Sequence, residues 1–333
     1  MRLEVLEEEE QILPATIRGQ LVHGILEEFY SARAKAGGLP ITNDNLHTAH
    51  EELRAIADRN IATLKTSDFE RTQLRLYLLG AGGRTLAEIM PHNLPPEIQE
   101  FRTLLETLRN YPGLLPGLLA KEVSRAESSS NTLLVPVLFE HEFGVSRRGA
   151  AAASEPAPPL YLDCDGQKVS VRGIVDRVDA DGECFAVVDY KTGTLPNITE
   201  QLSGTRVQIP LYLMAMQQLW SAQSKKLTPA GGFYYSLRPW GADAGGQLVR
   251  KQYLGRCGFS SRSKSLTDET FAELLALVRT QIGTAVRKFA DGHFHITTMA
   301  SESPCRYCPS SEICRKDIDR AIYLAPKLSG AGT

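Results

Sequence analysis

Two carboxylates and a lysine on adjacent strand-like runs, Asp176, Asp189 and Lys191, are the residues whose types and spacing could do chemistry. They sit in G-I-V-D-R-V-D at 173–179 and V-V-D-Y-K-T-G at 187–193, separated by a short polar turn. Side chains two apart in a strand share a face, so Asp189 and Lys191 stand together at the end of a strand that Val187 and Val188 anchor in the core. Hard oxygen ligands of this kind suit Mg²⁺ or Mn²⁺, and the lysine beside them could orient or deprotonate an attacking water. The spacing alone also fits a plainer reading, in which Asp176, Asp179 and Asp181 are turn residues and Asp189 and Lys191 form a surface ion pair. The apolar lead-in and the strand-ending Thr192 and Gly193 favour the chemical one.

A second constellation is Cys305, Cys308 and Cys314, spaced C-x2-C-x5-C, which reads as a shared metal or cluster site. Zinc and iron-sulfur sites usually take four protein ligands, and only three are here. Cys164, Cys184 and Cys257 lie singly in or beside strand-like segments and are expected to be small buried hydrophobes. The third constellation is basic. Between 225 and 264 stand Lys225, Lys226, Arg238, Arg250, Lys251, Arg256, Arg262 and Lys264 against the single Asp243. A net charge of −2 gives no global pull toward nucleic acid, so DNA contact must come from such a local patch. The patch reads equally as a solvated face.

The elements that must position these groups follow from periodicity. Residues 17–33 form an amphipathic helix with Ile17, Leu21, Ile25 and Phe29 at spacing four. Residues 44–125 alternate helical patterns with Gly and Pro breaks and carry no strand signal, and a polar hinge follows at 127–131. From 133 the period becomes that of strands: 133–143, 160–163, 169–179, 184–190 and 232–237, accompanied by helices at 207–221 and 268–290. The fold class is therefore α/β, a mixed sheet flanked by helices with a large helical insertion. The expected divisions are 1–43, 44–130, 131–300 and a cysteine-bearing segment at 301–333.

The two hairpin motifs, followed by Q-I-P-L-Y at 208–212, resemble the PD-(D/E)XK nuclease superfamily in its RecB and AddB-like branch. The helix R-G-Q-L-V-H-G-I-L-E-E-F-Y at 18–30 is similar to that branch's helix with a metal-binding histidine, and P-C-R-Y-C-P-S-S-E-I-C at 304–314 to its iron-sulfur motif. The resemblance implies that His23, Asp176 and Asp189 bind Mg²⁺ or Mn²⁺ with the carbonyl of Tyr190, and that Lys191 is the catalytic lysine. It implies that Gln208 and Tyr212 line the active site, and that Cys305, Cys308 and Cys314 belong to a 4Fe-4S cluster incomplete in this chain. Glu140, in F-E-H-E-F-G, stands where the family has an acidic residue, with its role left open.

The function expected from this is metal-dependent DNA cleavage, exonucleolytic by the resemblance, in the C-terminal piece of an ATP-dependent helicase-nuclease acting in break repair. A standalone or CRISPR-associated nuclease and a catalytically silent DNA-binding scaffold are the alternatives. No phosphate-binding G-x-x-x-x-G-K-[ST] loop is present, so the helicase motor is expected elsewhere in the parent chain or on a partner subunit. No apolar stretch reaches membrane-spanning length, and the Glu-rich start is unlike a secretory signal, so the expected location is the cytoplasm without membrane partners.

Overall fold

A computed structural model describes residues 15–80, 112–129, 133–144, 157–164, 166–192, 195–204, 206–238 and 241–293. It divides into two compact units, 1–279 and 280–333, and in the second the described residues complete one helix. The cysteine segment from 301 lies outside the described residues.

Four helices come first: α1 (Ala15–Lys35), α2 (Leu46–Ala62), α3 (Asp68–Leu79) and α4 (Leu114–Ser128). In α1, Val22, Ile25, Leu26 and Phe29 are fully buried while Ile17 is exposed, so the buried face begins a turn later than the spacing-four stripe suggests. α2 buries Ala49, Leu53, Ile56, Ala57 and Ile61, the recurrence of a one-sided helix. A capping box between Ser67 and Glu70 starts α3. The polar stretch at 127–131 begins inside α4, which runs to Ser128 and has Ser129 as its C-cap.

The strands are β1 (Val135–Phe143), β2 (Leu160–Cys164), β3 (Gln167–Val171), β4 (Gly173–Ala180), β5 (Cys184–Lys191), β6 (Thr228–Arg238) and β7 (Gly241–Val249). β2 and β3 form a separate antiparallel pair, so the run at 169–179 is broken at Arg172 between two sheets. The main sheet has the order β1-β4-β5-β6-β7 and is antiparallel except for β5 with β6. Between β5 and β6 lie a short helix, α5 (Ile198–Leu202), and α6 (Gln208–Ala222); α7 (Asp268–Ala290) closes the described chain. Thr267 caps α7 through its hydroxyl, which accepts from the Thr270 amide, while Asp268 pairs with Arg250.

Alternation in β5 divides the core. Cys184, Ala186, Val188 and Tyr190 pack in one cluster with α1, α2, α4 and β6. Residues 185, 187, 189 and 191 belong to the other face. Over that face α6 approaches closely because position 232 has no side chain. A Cβ there would lie 2.5 Å from Ile209 and 2.6 Å from Val187. Glycine at this point sets the start of α6, and hence Gln208, against the end of β5. Cys164, Cys184 and Cys257 are buried free thiols, as their surroundings predict. No described helix is long and apolar enough to cross a membrane.

Candidate metal centre and active site

The last registered pair between β4 and β5 is Arg177 with Val188. One step further, Asp176 and Asp189 face each other from adjacent strands. Both are buried, Asp189 completely. The Asp176 Oδ2 accepts the Tyr190 amide at 2.8 Å, and the side chain thus takes over where backbone pairing stops. From α1, His23 Nδ1 lies 2.9 Å from Glu140 Oε1 and 3.7 Å from Asp176 Oδ2. Glu140 of β1 is bracketed by the pairs Phe139 with Arg177 and His141 with Val175, which puts it opposite Asp176. Its φ of +43° is a left-handed conformation that a glutamate rarely adopts, and backbone strain of this kind gathers at functional sites. His23, Glu140 and Asp176 each offer a ligand atom within 4.8 Å of the others.

On the other side of Asp189 the groups interlock. Lys191 Nζ stands 2.7 Å from Asp189 Oδ2 and donates to Gln208 Oε1 at 3.0 Å. The Gln208 amide nitrogen donates to Asp189 Oδ1 at 2.5 Å and to the Tyr212 hydroxyl at 3.0 Å. Gln208 and Tyr212 are one turn apart on α6, so one helical face serves both. The Lys191 ammonium also lies 5.7 Å from the centroid of the Tyr234 ring, in cation–π range.

The charges gathered here suit a cation. Burial and the neighbouring Asp189 carboxylate push the Asp176 carboxyl up to about 7, against the opposing pull of His23. Burial also raises Asp189, although Lys191 and His23 act to lower it. Burial opposes charge on His23, yet its hydrogen bond to Glu140 and the fields of Asp176 and Glu140 outweigh that and raise it to about 9. The raised Asp176 carboxyl and the His23 imidazole favour protons that a divalent cation would displace. The donor set of carboxylate oxygens with one imidazole nitrogen therefore fits Mg²⁺ or Mn²⁺.

His23, Asp176, Asp189, Tyr190, Lys191, Gln208 and Tyr212 thus converge, and Glu140 joins them. The basic run is not brought to the same place. Lys225 and Lys226 precede Thr228, which pairs with Cys184 at the opposite end of β5, roughly 17 Å from Asp189 at about 3.3 Å per residue. The loop carrying Lys251, Arg256, Arg262 and Lys264 leaves and rejoins the sheet at that same far end, through bonds between Val249, Lys251 and Leu266. Arg250 is bound to Asp268 at 2.8 Å, and Arg256 to Glu183 at 2.8 Å and to Asp181. Of the basic run only Arg238, at the end of β6 two residues past the Ser236 that pairs with Lys191, belongs by register to the Lys191 end of the sheet.

Sequence reasoning missed a buried charge cluster directly behind the site. Arg177 of β4 binds Asp179 at 2.5 and 2.8 Å and Glu122 of α4 at 3.0 and 3.1 Å. Arg125 of α4 joins through Glu122 at 3.2 Å and through the Tyr235 hydroxyl at 3.0 Å. All four charged side chains are at most 3% exposed. The available signal was an arginine inside G-I-V-D-R-V-D, since a charge in a doubly buried strand must find carboxylates.

A family model described as the PD-(D/E)XK nuclease superfamily matches residues 1–315. Among curated proteins the chain is similar to an ATP-dependent helicase/deoxyribonuclease subunit of Caldanaerobacter subterraneus subsp. tengcongensis, 24% identical over 260 residues, which are 60% of this chain and 22% of that one. The same-named subunit of Pelotomaculum thermopropionicum is 24% identical over 289 residues, 70% of this chain and 24% of the relative. That of Clostridium kluyveri is 27% identical over 209 residues, 48% and 18% respectively. The chain therefore spans under a quarter of the length of these relatives.

Proposed function

The chain belongs to the PD-(D/E)XK nuclease superfamily, and from that premise we propose that it is the DNA-cleaving module of an ATP-dependent helicase-nuclease. What supports the reading is the convergence of His23, Glu140, Asp176 and Asp189 beside Lys191. His23, Asp176, Asp189 and the Tyr190 carbonyl would hold Mg²⁺ or Mn²⁺, with Glu140 at hand. A bound ion would supply positive charge to the phosphate under attack.

The chain's own residues do the rest. Lys191 is partly exposed and presents an ammonium whose direction Asp189 and Gln208 fix, so it can bind a phosphate oxygen or hold the attacking water. Gln208 ties Asp189 to Tyr212, and the Tyr212 hydroxyl extends this line of donors toward the strand being cut. The helicase portion belongs to the relatives' name and would lie in the parent chain or a partner subunit. Exonuclease action, cytoplasmic location and a 4Fe-4S cluster on Cys305, Cys308 and Cys314 are parts of the same proposal. Incubating the purified chain with end-labelled linear and covalently closed DNA tests it. Loss of the linear DNA with Mg²⁺ or Mn²⁺, and none with chelator, is the expected result; no cleavage with either ion would overturn it.

The far-end cations extend the proposal to DNA that runs past the site. Lys225, Lys226, Lys251, Arg262 and Lys264 are exposed there, whereas Arg250 and Arg256 already serve internal carboxylates. Replacing the five exposed cations by Gln is expected to leave cleavage of oligonucleotides of a few residues unchanged. Binding of long DNA should weaken, and its log–log salt slope should fall by about one for each phosphate no longer neutralised. Equal weakening on short and long substrates would place those cations at the cleavage site instead.

A further inference from the structure

Asp176 and Asp189 repel each other across two strands whose registered pairing has just ended, and burial makes each charge costlier. Something must hold the strand ends together. On the front, the Tyr190 amide donates to Asp176 Oδ2 at 2.8 Å. On the back, the Tyr190 side chain passes into the core, where Arg177 Nη1 donates to its hydroxyl at 3.2 Å. Arg177 is itself tightly held: 1% exposed, bound twice to Asp179 and twice to Glu122, with its guanidinium 4.9 Å from the centroid of the Tyr30 ring. Arg177 and Asp176 are sequence neighbours on β4, so the bond to Tyr190 closes a small loop. It runs from Asp176 along β4 to Arg177, through the Tyr190 hydroxyl and ring to the Tyr190 backbone, and back to Asp176.

Tyr190 also meets the third ligand-bearing element. Its ring stands edge-on to His23, with centroids 6.1 Å apart and planes at 82°, and stacks on Tyr235 at 6.0 Å and 22°. One residue thus touches β4 through its amide, α1 through its ring and the buried charge cluster through its hydroxyl.

We propose that Arg177, acting through the Tyr190 hydroxyl, is a positioning residue of the metal centre: it fixes the β4–β5 geometry in which Asp176, Asp189 and His23 converge. The proposal rests on the reading of this cluster as a divalent-cation site. It assigns α4 a part in the chemistry, because Glu122 holds the arginine in place. Ligands without mutual repulsion would need no such support; here two carboxyl groups that repel each other when ionised are held side by side before any ion arrives. Support around metal ligands is typically worth 10–100-fold in affinity or activity.

The discriminating pair of variants is Tyr190→Phe and Tyr235→Phe. Each deletes one buried hydroxyl from the same cluster and keeps its ring, but only the Tyr190 hydroxyl is bonded directly by Arg177; the Tyr235 hydroxyl serves Arg125 and Glu122. Mn²⁺ binding to the chain without DNA, read from the free-ion signal by electron paramagnetic resonance, is the primary measurement. Tyr190→Phe is expected to weaken Mn²⁺ binding roughly tenfold and to raise the Mn²⁺ needed for half-maximal cleavage by the same factor, with cleavage at saturating Mn²⁺ nearly retained. Tyr235→Phe is expected to leave both unchanged. Arg177→Lys, which keeps a charge but reaches fewer acceptors, should resemble Tyr190→Phe. Unchanged Mn²⁺ binding in Tyr190→Phe, or an equal shift in Tyr235→Phe, would overturn the positioning role. Asp176→Asn separates the two levels: if it abolishes Mn²⁺ binding while Tyr190→Phe does not affect it, only the positioning role fails. If Asp176→Asn also leaves binding intact, the cation site itself is wrong and both fall.

Discussion

Asp189→Asn and Lys191→Ala are expected to reduce DNA cleavage a hundred- to a thousandfold, the usual cost of removing a group that stabilises charge in a transition state. The two variants should differ in stability. Asp189 is completely buried and carries the ion pair to Lys191 and the bond from Gln208, so asparagine, which keeps shape and an acceptor oxygen, is the informative change. Lys191 lies at the surface end of the trio, and its truncation removes the ammonium paired with Asp189 while the neutral Gln208 bond stays. Thermal melting and a cleavage assay on the same preparations check both. Wild-type cleavage by either variant would remove that residue from the mechanism.

The metal-free protein should show the strain of the site in its pH dependence. Asp176 has its carboxyl raised to about 7 in the fold, first by burial and then by Asp189, so the folded state holds a proton that the unfolded chain releases near 4. Stability from this group is therefore lost as pH rises from about 4 through about 7. His23, raised to about 9, adds a loss with the same sign between about 6.5 and 9, because its favourable charge disappears on deprotonation. Asp189→Asn removes the second carboxylate, so its melting temperature in chelator at pH 8 should exceed that of the wild type. A group that merely packed the core would give the reverse.

How the sequence reports such a site depends on where each contact comes from. Asp176, Asp189 and Lys191 were legible because period-two alternation and the Val187–Val188 lead-in are local. Gln208 and Tyr212 are one helical turn apart, again a local pattern, but their direction toward Asp189 depends on the close approach at Gly232. Glu140 reaches His23 across 117 residues of sequence through a left-handed backbone angle that periodicity does not encode. The far-end placement of the basic run is likewise topological: charges crowded in sequence follow β6 and β7 away from the site because β6 runs parallel to β5. β7 itself, G-A-D-A-G-G-Q-L-V, has almost no apolar alternation and exists as an edge strand through backbone pairing with β6. Glu122 and Arg125 show the same limit from the helical side. In L-L-P-G-L-L-A-K-E-V-S-R they look like an ordinary i, i+3 surface pair, and only the packing of α4 against the sheet makes them interior charges.

That packing leads to the largest expected effect on stability. Glu122→Leu should destabilise the fold by about 3–5 kcal/mol, because it leaves Arg125 and Arg177 buried with a single carboxylate, Asp179, between them. For a chain of this size the melting temperature should fall by roughly 10 °C. Burial alone would raise the Glu122 carboxyl, yet Arg177 and Arg125 overcome it and hold it at about 2. The sign follows: a depressed carboxyl contributes stability that is complete above about 4.5 and is lost as pH falls toward 2. Glu122→Leu should therefore lose its deficit against wild type in acid, whereas Asp189→Asn loses an advantage there. Adding Arg125→Met to Glu122→Leu removes the excess charge and leaves the bidentate Arg177–Asp179 pair intact, so the double variant should recover part of the loss. It should not recover all of it, since the Cys257 carbonyl would lose two donors at 2.9 and 3.2 Å from Arg125. A double variant less stable than the sum of the two single changes would show that the four charges do not act as a balanced unit, and α4 would then owe its attachment to its buried apolar residues, Leu114, Leu115, Leu118, Leu119 and Val123.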